Sequence, residues 1–147
     1  MKRSIIIING RDNRIKDEIQ ARIQAANKSF YGQQNLLSSK ILSHKPKVLI
    51  YKTVIQPILL YGSETWSTTN QDVTQIQVFE NKVLRKIYGP VKDDATGEWR
   101  RRYNKELYQL YDSSIISNIL KSNRLRWLGH VHRMKNNREP KRTFNGK

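Results

Sequence analysis

The sequence predicts a mainly α-helical protein: a small bundle of four to five helices with a short N-terminal strand and a disordered C-terminal tail. Three observations support this. Apolar residues recur at three- and four-residue steps in several segments, which is typical of one buried face of a helix. Glycine and proline follow these segments at positions where helices commonly stop. One run of consecutive β-branched residues, at positions 5–8, has the composition of a strand.

The N-terminal segment begins with this isoleucine run and the pair Asn9-Gly10, which favours a tight hairpin turn. We therefore expect residues 1–11 to be a remnant strand or hairpin from a sheet whose other strands are missing. From Asp12 onward the pattern becomes helical. The apolar stripe of this first helix, which extends to Leu37 at most, is Ile15, Ile19, Ile23, Ala26 and Phe30.

A second helix is predicted from the sequence Ser43-His44-Lys45-Pro46, because proline in a first turn costs no hydrogen bond. Pro57 is expected to kink this helix or to shift its last turn, and Gly62 to end it. The bundle's central helix is expected here, held by Leu49, Tyr51, Val54, Ile58, Leu59 and Leu60, with Tyr61 and Trp66 folded back onto it.

The third helix is predicted to begin at the capping residues 68–70 and to end at Gly89-Pro90. A loop, "VKDDATGEW", should follow, then a short helix over Asn104–Tyr111 and a last helix capped by Ser113 or Ser114. Residues 12–135 are thus expected to form one helical domain, and residues 136–147 a disordered basic tail.

The charge of the chain is strongly unbalanced. Its 147 residues carry 28 Lys and Arg against 12 Asp and Glu, a formal charge of +16. This excess indicates a polyanionic partner, with nucleic acid the first candidate and an anionic membrane the second. No run approaches the ~20 apolar residues of a membrane span, so no membrane partner is expected. The absence of cysteine excludes disulfides, thiolate zinc sites and a cysteine nucleophile.

Catalytic or metal-binding groups are few. His130 and His132 lie two apart on a predicted helix and therefore point away from each other. Asp93-Asp94 resembles a magnesium-binding carboxylate pair, but it lies in a predicted loop with no apolar strand to aim it. We expect no active site, no metal site and no cofactor in this chain.

Basic clusters are the stronger feature, because such groups neutralise phosphates and supply most non-specific affinity for nucleic acid. Each cluster alone is equally compatible with a solvated charged face; several together favour nucleic acid. Trp99, beside three arginines, fits either a core position or a binding surface. The candidate contact residues are Lys82, Arg85, Lys86, Arg100, Arg101, Arg102, Arg124, Arg126 and Arg133.

Five segments carry a family resemblance, in order along most of the chain: "EIQARIQAANKSFYG" (18–32), "IYKTVIQPILLYGSETW" (50–66), "VFENKVLRKIYGP" (78–90), "TGEWRRRYNKELYQLY" (96–111) and "KSNRLRWLGHVHRM" (121–134). Together they resemble the region that follows the polymerase palm in the endonuclease–reverse transcriptases of non-LTR retrotransposons. The resemblance implies a helical thumb and post-thumb region that grips a template–primer duplex, RNA–DNA or DNA, through its phosphates. It also implies a nuclear, intracellular location.

The same resemblance sets limits. The family's magnesium-binding aspartates, in an aromatic-x-Asp-Asp motif, are absent here, so Mg²⁺ is expected only with the missing palm. This chain should then not polymerise on its own. Two alternatives stay open: a truncated gene model or a subunit of an active endonuclease–reverse transcriptase, and a host-adopted helical DNA-binding regulator.

Overall fold

The computed structural model describes the backbone of residues 2–63 and 70–134, and the side chains of residues 14–63 and 70–134. The described chain is mainly helical, as the sequence predicts. Its helices are α1 (Lys2–Gly32), α2 (Gln34–Leu37), α3 (His44–Ile50), α4 (Gln56–Leu60), α5 (Asn70–Tyr88), α6 (Asn104–Tyr111) and α7 (Ile116–Arg133). Strands β1 (Val91–Lys92) and β2 (Trp99–Arg100) pair antiparallel between α5 and α6. Trp66 and the predicted tail at 136–147 lie outside the described residues.

The predicted N-terminal strand is wrong, because residues 5–8 lie within α1. Isoleucine costs a helix only a few tenths of a kcal/mol relative to the best helix formers. Adding residues to an existing helix also avoids the cost of nucleation, whereas a strand would need a partner. Further along α1 the predicted stripe is confirmed: Ile19, Ala26 and Phe30 are buried, and Ile15 and Ile23 pack against the core.

The helical run of residues 44–60 contains the distortion expected from its proline. Tyr51–Ile55 forms a π-helical turn directly before Pro57, between α3 and α4. Pro57 has no N–H to donate, and its ring would clash with the carbonyl of residue 53 in a regular helix. Widening the preceding turn removes that conflict. The wider turn also changes which residues face the core.

The buried face of this run is Tyr51, Ile55 and Leu59, at four-residue spacing. The predicted anchors Leu49 and Val54 are instead exposed, as is Tyr61. The spacing follows from the π turn, which has more than the 3.6 residues of an α-helical turn. The prediction that this run is the central helix is also wrong: α5 contacts α1, α3, α6 and α7, and nine of its 19 residues are buried.

Helix α5 was well predicted, with Ile76, Phe79, Val83, Leu84 and Ile87 in the core and Val73 at its edge. It also carries a fully buried carboxylate, Glu80, which the sequence did not reveal. Glu80 accepts hydrogen bonds from the Tyr51 hydroxyl (2.9 Å), the Gln77 side-chain amide (2.8 Å) and the Ile116 backbone N–H (2.9 Å). One side chain thus joins the π-helical turn, α5 and the first turn of α7.

The segment predicted to be a plain loop, residues 91–99, instead contains the β1–β2 hairpin. Val91 pairs with Arg100 and Lys92 with Trp99. The turn is closed by the Asp93 N–H, which donates to the Glu98 carbonyl at 2.8 Å, and by Gly97, whose φ of +73° suits glycine. None of the described helices is long and apolar enough to cross a membrane.

Candidate nucleic-acid interface

A groove with a volume of about 600 Å³ lies between the end of α1, the C-terminal half of α5 and the segment that begins with β2. Six of the nine predicted contact residues line it, three from α5 and three from the β2 segment. No aspartate or glutamate lies among its described lining residues. The six are Lys82, Arg85, Lys86, Arg100, Arg101 and Arg102.

Local structure explains why these six side chains meet. Residues three and four apart on a helix are surface neighbours, so Lys82, Arg85 and Lys86 share one side of α5. Gly89, with a φ of +72°, then turns the chain out of the helix. The hairpin returns it, and the Arg102 side chain donates to the Gly89 carbonyl at 3.0 Å. This last bond holds the arginine run against the end of α5.

Arg85 is built into the wall of the groove. Its guanidinium donates to the Arg102 carbonyl at 3.4 Å and to the side-chain oxygen of Asn104. Partial burial and the nearby charge of Arg101 lower the pKa of Arg85 from its ordinary value. The lowering has the sign expected when a cation loses water and gains a like-charged neighbour.

The Arg100 guanidinium already has partners within the chain. It forms an ion pair with Glu106 at 2.9 Å, and its guanidinium lies 4.5 Å above the centre of the Tyr103 ring. The hydrogen bond to Glu106 raises the pKa of Arg100, with the charge of the same carboxylate adding to it. One of the six cations is therefore already balanced by an acid just outside the groove.

Lys82 links two helices at the groove. Its ammonium donates to the side-chain oxygen of Asn27 and to the Tyr31 hydroxyl, both at 3.1 Å. It also lies 5.1 Å from the centre of the Phe30 ring and 4.8 Å from that of Tyr31, which are cation–π distances. No sequence pattern indicates that residues 30 and 31 of α1 line this side of the groove, because their position depends on how α1 docks on α5.

Lys86 and Arg101 differ from the other four cations. The charged side chain of neither makes a hydrogen bond or ion pair with another described residue. Both line the groove, with Arg101 exposed and Lys86 half-buried. Their charges are thus the ones most available to a ligand.

A second groove, of about 540 Å³, adjoins the first and was not predicted. The two share Arg85, Lys86, Gly89 and Pro90 as lining residues. The second adds the basic residues Lys40 and Lys47 and the imidazole of His44, again with no acid among its described lining. The only sequence signal was the basic character of residues 40–47 around Pro46. The cationic surface therefore continues past the end of α5 toward α3.

The remaining three predicted residues do not join this surface. Arg126 and Arg133 line a separate cleft along α7, of about 460 Å³, with Asn123, Trp127 and His130. Arg124 is exposed on the same helix and lines neither that cleft nor the grooves. These three cations are two, seven and nine residues apart on one helix, and no second element is seen to bring them together among the described residues.

Asp93, one residue of the acidic pair, serves the hairpin turn. One carboxylate oxygen of Asp93 accepts a hydrogen bond from the Ala95 N–H at 2.9 Å, and the Asp93 carbonyl accepts one from the Gly97 N–H at 2.7 Å. Across the described residues, no three His, Cys, Asp or Glu side chains are grouped so that they could hold a metal ion.

Comparison with known proteins gives a distant similarity. The chain is 28% identical over 127 residues to a putative uncharacterized transposon-derived protein of Caenorhabditis elegans, across 86% of this chain. The aligned region spans 44% of that relative's length. No protein-family model matches the chain, and no solved structure matches it. The similarity supports a transposon-related origin.

Proposed function

We propose that this chain is a nucleic-acid-binding region of a retrotransposon reverse transcriptase, one that holds the template–primer duplex through its phosphates. The observation that carries the proposal is the groove lined by six cations and by no described acid. Clustered Lys and Arg side chains on such a surface neutralise phosphates and release condensed counterions. The similarity to a transposon-derived protein and the resemblance of five sequence segments to the post-palm region support the polymerase context.

In this proposal the polymerisation reaction takes place outside this region. The catalytic palm and its Mg²⁺ would be supplied by a different region of sequence, and residues of this chain would position the duplex. Phosphate contacts fix register and orientation and carry no sequence information by themselves. We therefore expect RNA–DNA and DNA duplexes of unrelated sequence to bind about equally well. We also expect the protein to act in the nucleus, where the parent element would copy itself.

Fluorescence anisotropy of a labelled duplex at several salt concentrations tests the binding. We expect log K to fall linearly with log salt, by up to about 0.9 for each phosphate neutralised on duplex DNA. Binding that is flat in salt, or absent at low salt, contradicts the proposal. A selection experiment that returns a sharp consensus sequence would instead favour a sequence-specific regulator.

The polymerase context has its own test in the genome. An open reading frame upstream of the Met1 codon that encodes the aromatic-x-Asp-Asp motif would support it. A frame that continues upstream into an unrelated domain would contradict it.

A further inference from the structure

Trp99 has an unusual position for an indole. It lies in β2, lines the cationic groove and is 69% exposed. Leaving so large an apolar side chain in water forgoes the stabilisation that its burial would contribute. The side chain therefore adds little to the core, and packing does not explain why an indole lies in the groove.

The other aromatic rings at the groove already have cations on them. The Lys82 ammonium lies near the centres of both the Phe30 and Tyr31 rings, at 5.1 and 4.8 Å. Just outside the groove, Arg100 covers the Tyr103 ring at 4.5 Å. Trp99 makes no ring stacking or cation–π contact with any described residue. It is the ring whose faces are open to a ligand.

Trp99 is also held in place. Its backbone pairs with Lys92 in the hairpin ladder, and the closed turn at Asp93 and Gly97 fixes the hairpin's geometry. Arg101, two residues further along, is exposed, and its guanidinium has no hydrogen-bond or ion-pair partner among the described residues. Trp99 and Arg101 line the same groove, so a ring and a guanidinium are available to one ligand, an arrangement suited to a base and its neighbouring phosphate.

We propose that Trp99 stacks on an unpaired base, so that the groove takes single-stranded nucleic acid, or the single strand next to a duplex, in preference to a blunt duplex. Inside a duplex, away from its ends, paired bases present only their edges, because their faces are covered by the base pairs above and below. Proteins that hold single strands combine a cationic groove with aromatic stacking, in which each base contributes independently of its identity. This inference rests on the proposed function and specifies its ligand.

The test compares three labelled probes of about 12 nucleotides, a length within the site size of single-strand-binding folds. They are oligothymidylate, an abasic strand with the same phosphates and no bases, and a blunt duplex. Replacing Trp99 by alanine should weaken oligothymidylate binding about fivefold to a hundredfold, the range seen when a stacking aromatic is removed. Binding of the abasic strand and of the duplex should change by less than about twofold. Trp99→Phe should restore most of the affinity.

Tyr61→Ala is the matched control, because Tyr61 is also 69% exposed and lies under an arginine, Arg22, yet lines none of the grooves. It should leave all three affinities unchanged. An equal loss on the abasic strand and on oligothymidylate in the Trp99→Ala protein would overturn the stacking role while leaving phosphate binding intact. Failure of the unsubstituted protein to bind any probe at low salt would overturn the proposed function itself.

Discussion

The hydroxyl of Tyr51 donates a hydrogen bond of 2.9 Å to the carboxylate of Glu80, and both side chains are fully buried. The same carboxylate accepts the Ile116 N–H, where α7 begins. A buried acceptor that serves donors from two other elements fixes how those elements pack on α5. Burial, followed by the charge of Glu80, raises the pKa of Tyr51 well above its ordinary value, so its hydroxyl keeps its proton and remains a donor.

Glu80→Ala should destabilise the fold by about 2–5 kcal/mol, because it leaves the Tyr51 hydroxyl and the Ile116 N–H buried and unpaired. Chemical denaturation followed by circular dichroism measures the change. Glu98→Ala is the control, since it removes the same charge from an exposed side chain in the hairpin. It should change stability by no more than about 0.5 kcal/mol. Equal losses in the two variants would show that Glu80 has no special role.

Glu80 should also make stability depend on pH in a defined direction. Burial raises its pKa above the ordinary 4.5, so the folded state holds the proton more tightly than the unfolded state. The stabilising contribution of this group is complete below pH 4.5 and is lost as pH rises through the folded-state pKa.

Glu80→Gln cannot titrate, so the stability of the unsubstituted protein minus that of this variant should fall as pH rises above 4.5. Denaturation midpoints at a series of pH values give this difference, and Glu98→Gln provides the corresponding control. A difference that rises with pH would mean that the hydrogen bonds to Glu80 outweigh its desolvation.

Lys86→Ala and Arg101→Ala should each weaken duplex binding by similar factors on every sequence and reduce the salt slope by about 1. These two cations are chosen because neither side chain makes a hydrogen bond or ion pair with the described residues. Lys16→Ala, on an exposed part of α1 far along the chain from the groove, removes the same charge. If Lys16→Ala has an equal effect, overall charge and not the groove governs binding.

Gly89→Ala should cost about 1–2 kcal/mol, because a φ of +72° brings Cβ close to the following carbonyl. No atom lies within 4 Å of the added Cβ, so the cost is one of backbone conformation. Asparagine tolerates this conformation better and should cost less. Thermal melting compares the variants.

Gly32→Ala is the control for Gly89→Ala, since its Cβ also meets nothing within 4 Å but its φ is not positive. That change should stabilise by about 0.4–1 kcal/mol. A loss at Gly32 as large as that at Gly89 would contradict the conformational explanation.

Local signals predicted the helices well. The apolar spacing of α5 and the Gly89-Pro90 stop gave that helix nearly to its ends, and Asn104–Tyr111 was predicted to the residue. Among the predicted anchors of residues 44–60, Tyr51 and Leu59 are buried, whereas Leu49 and Val54 are exposed. A π turn shifts which residues of this run face inward, and a regular 3.6-residue period cannot anticipate it. The hairpin was missed because two paired residues per strand are too few to show alternation.

The candidate interface was predictable in part because its cations form two clusters in the sequence. Three of its cations are neighbours on one helix and three are consecutive in sequence, so each trio was visible as a cluster. That the trios share a groove depends on the turn at Gly89 and on the bond from Arg102 to the Gly89 carbonyl. The second groove and the wall at residues 30 and 31 depend on tertiary docking, which leaves no periodic trace in the sequence.

Lys82 reaches across from α5 to Asn27, Phe30 and Tyr31 of α1, so one rim of the groove exists only while these two helices remain docked. A ligand that binds in the groove must therefore favour the conformation in which α1 packs on α5 over any in which α1 is separated from α5. By mass action, a polyanion present at 100 times its dissociation constant would add about 2.7 kcal/mol to the resistance of the whole chain to unfolding. Much of the free energy of unfolding of the bound protein would then come from the polyanion in the groove.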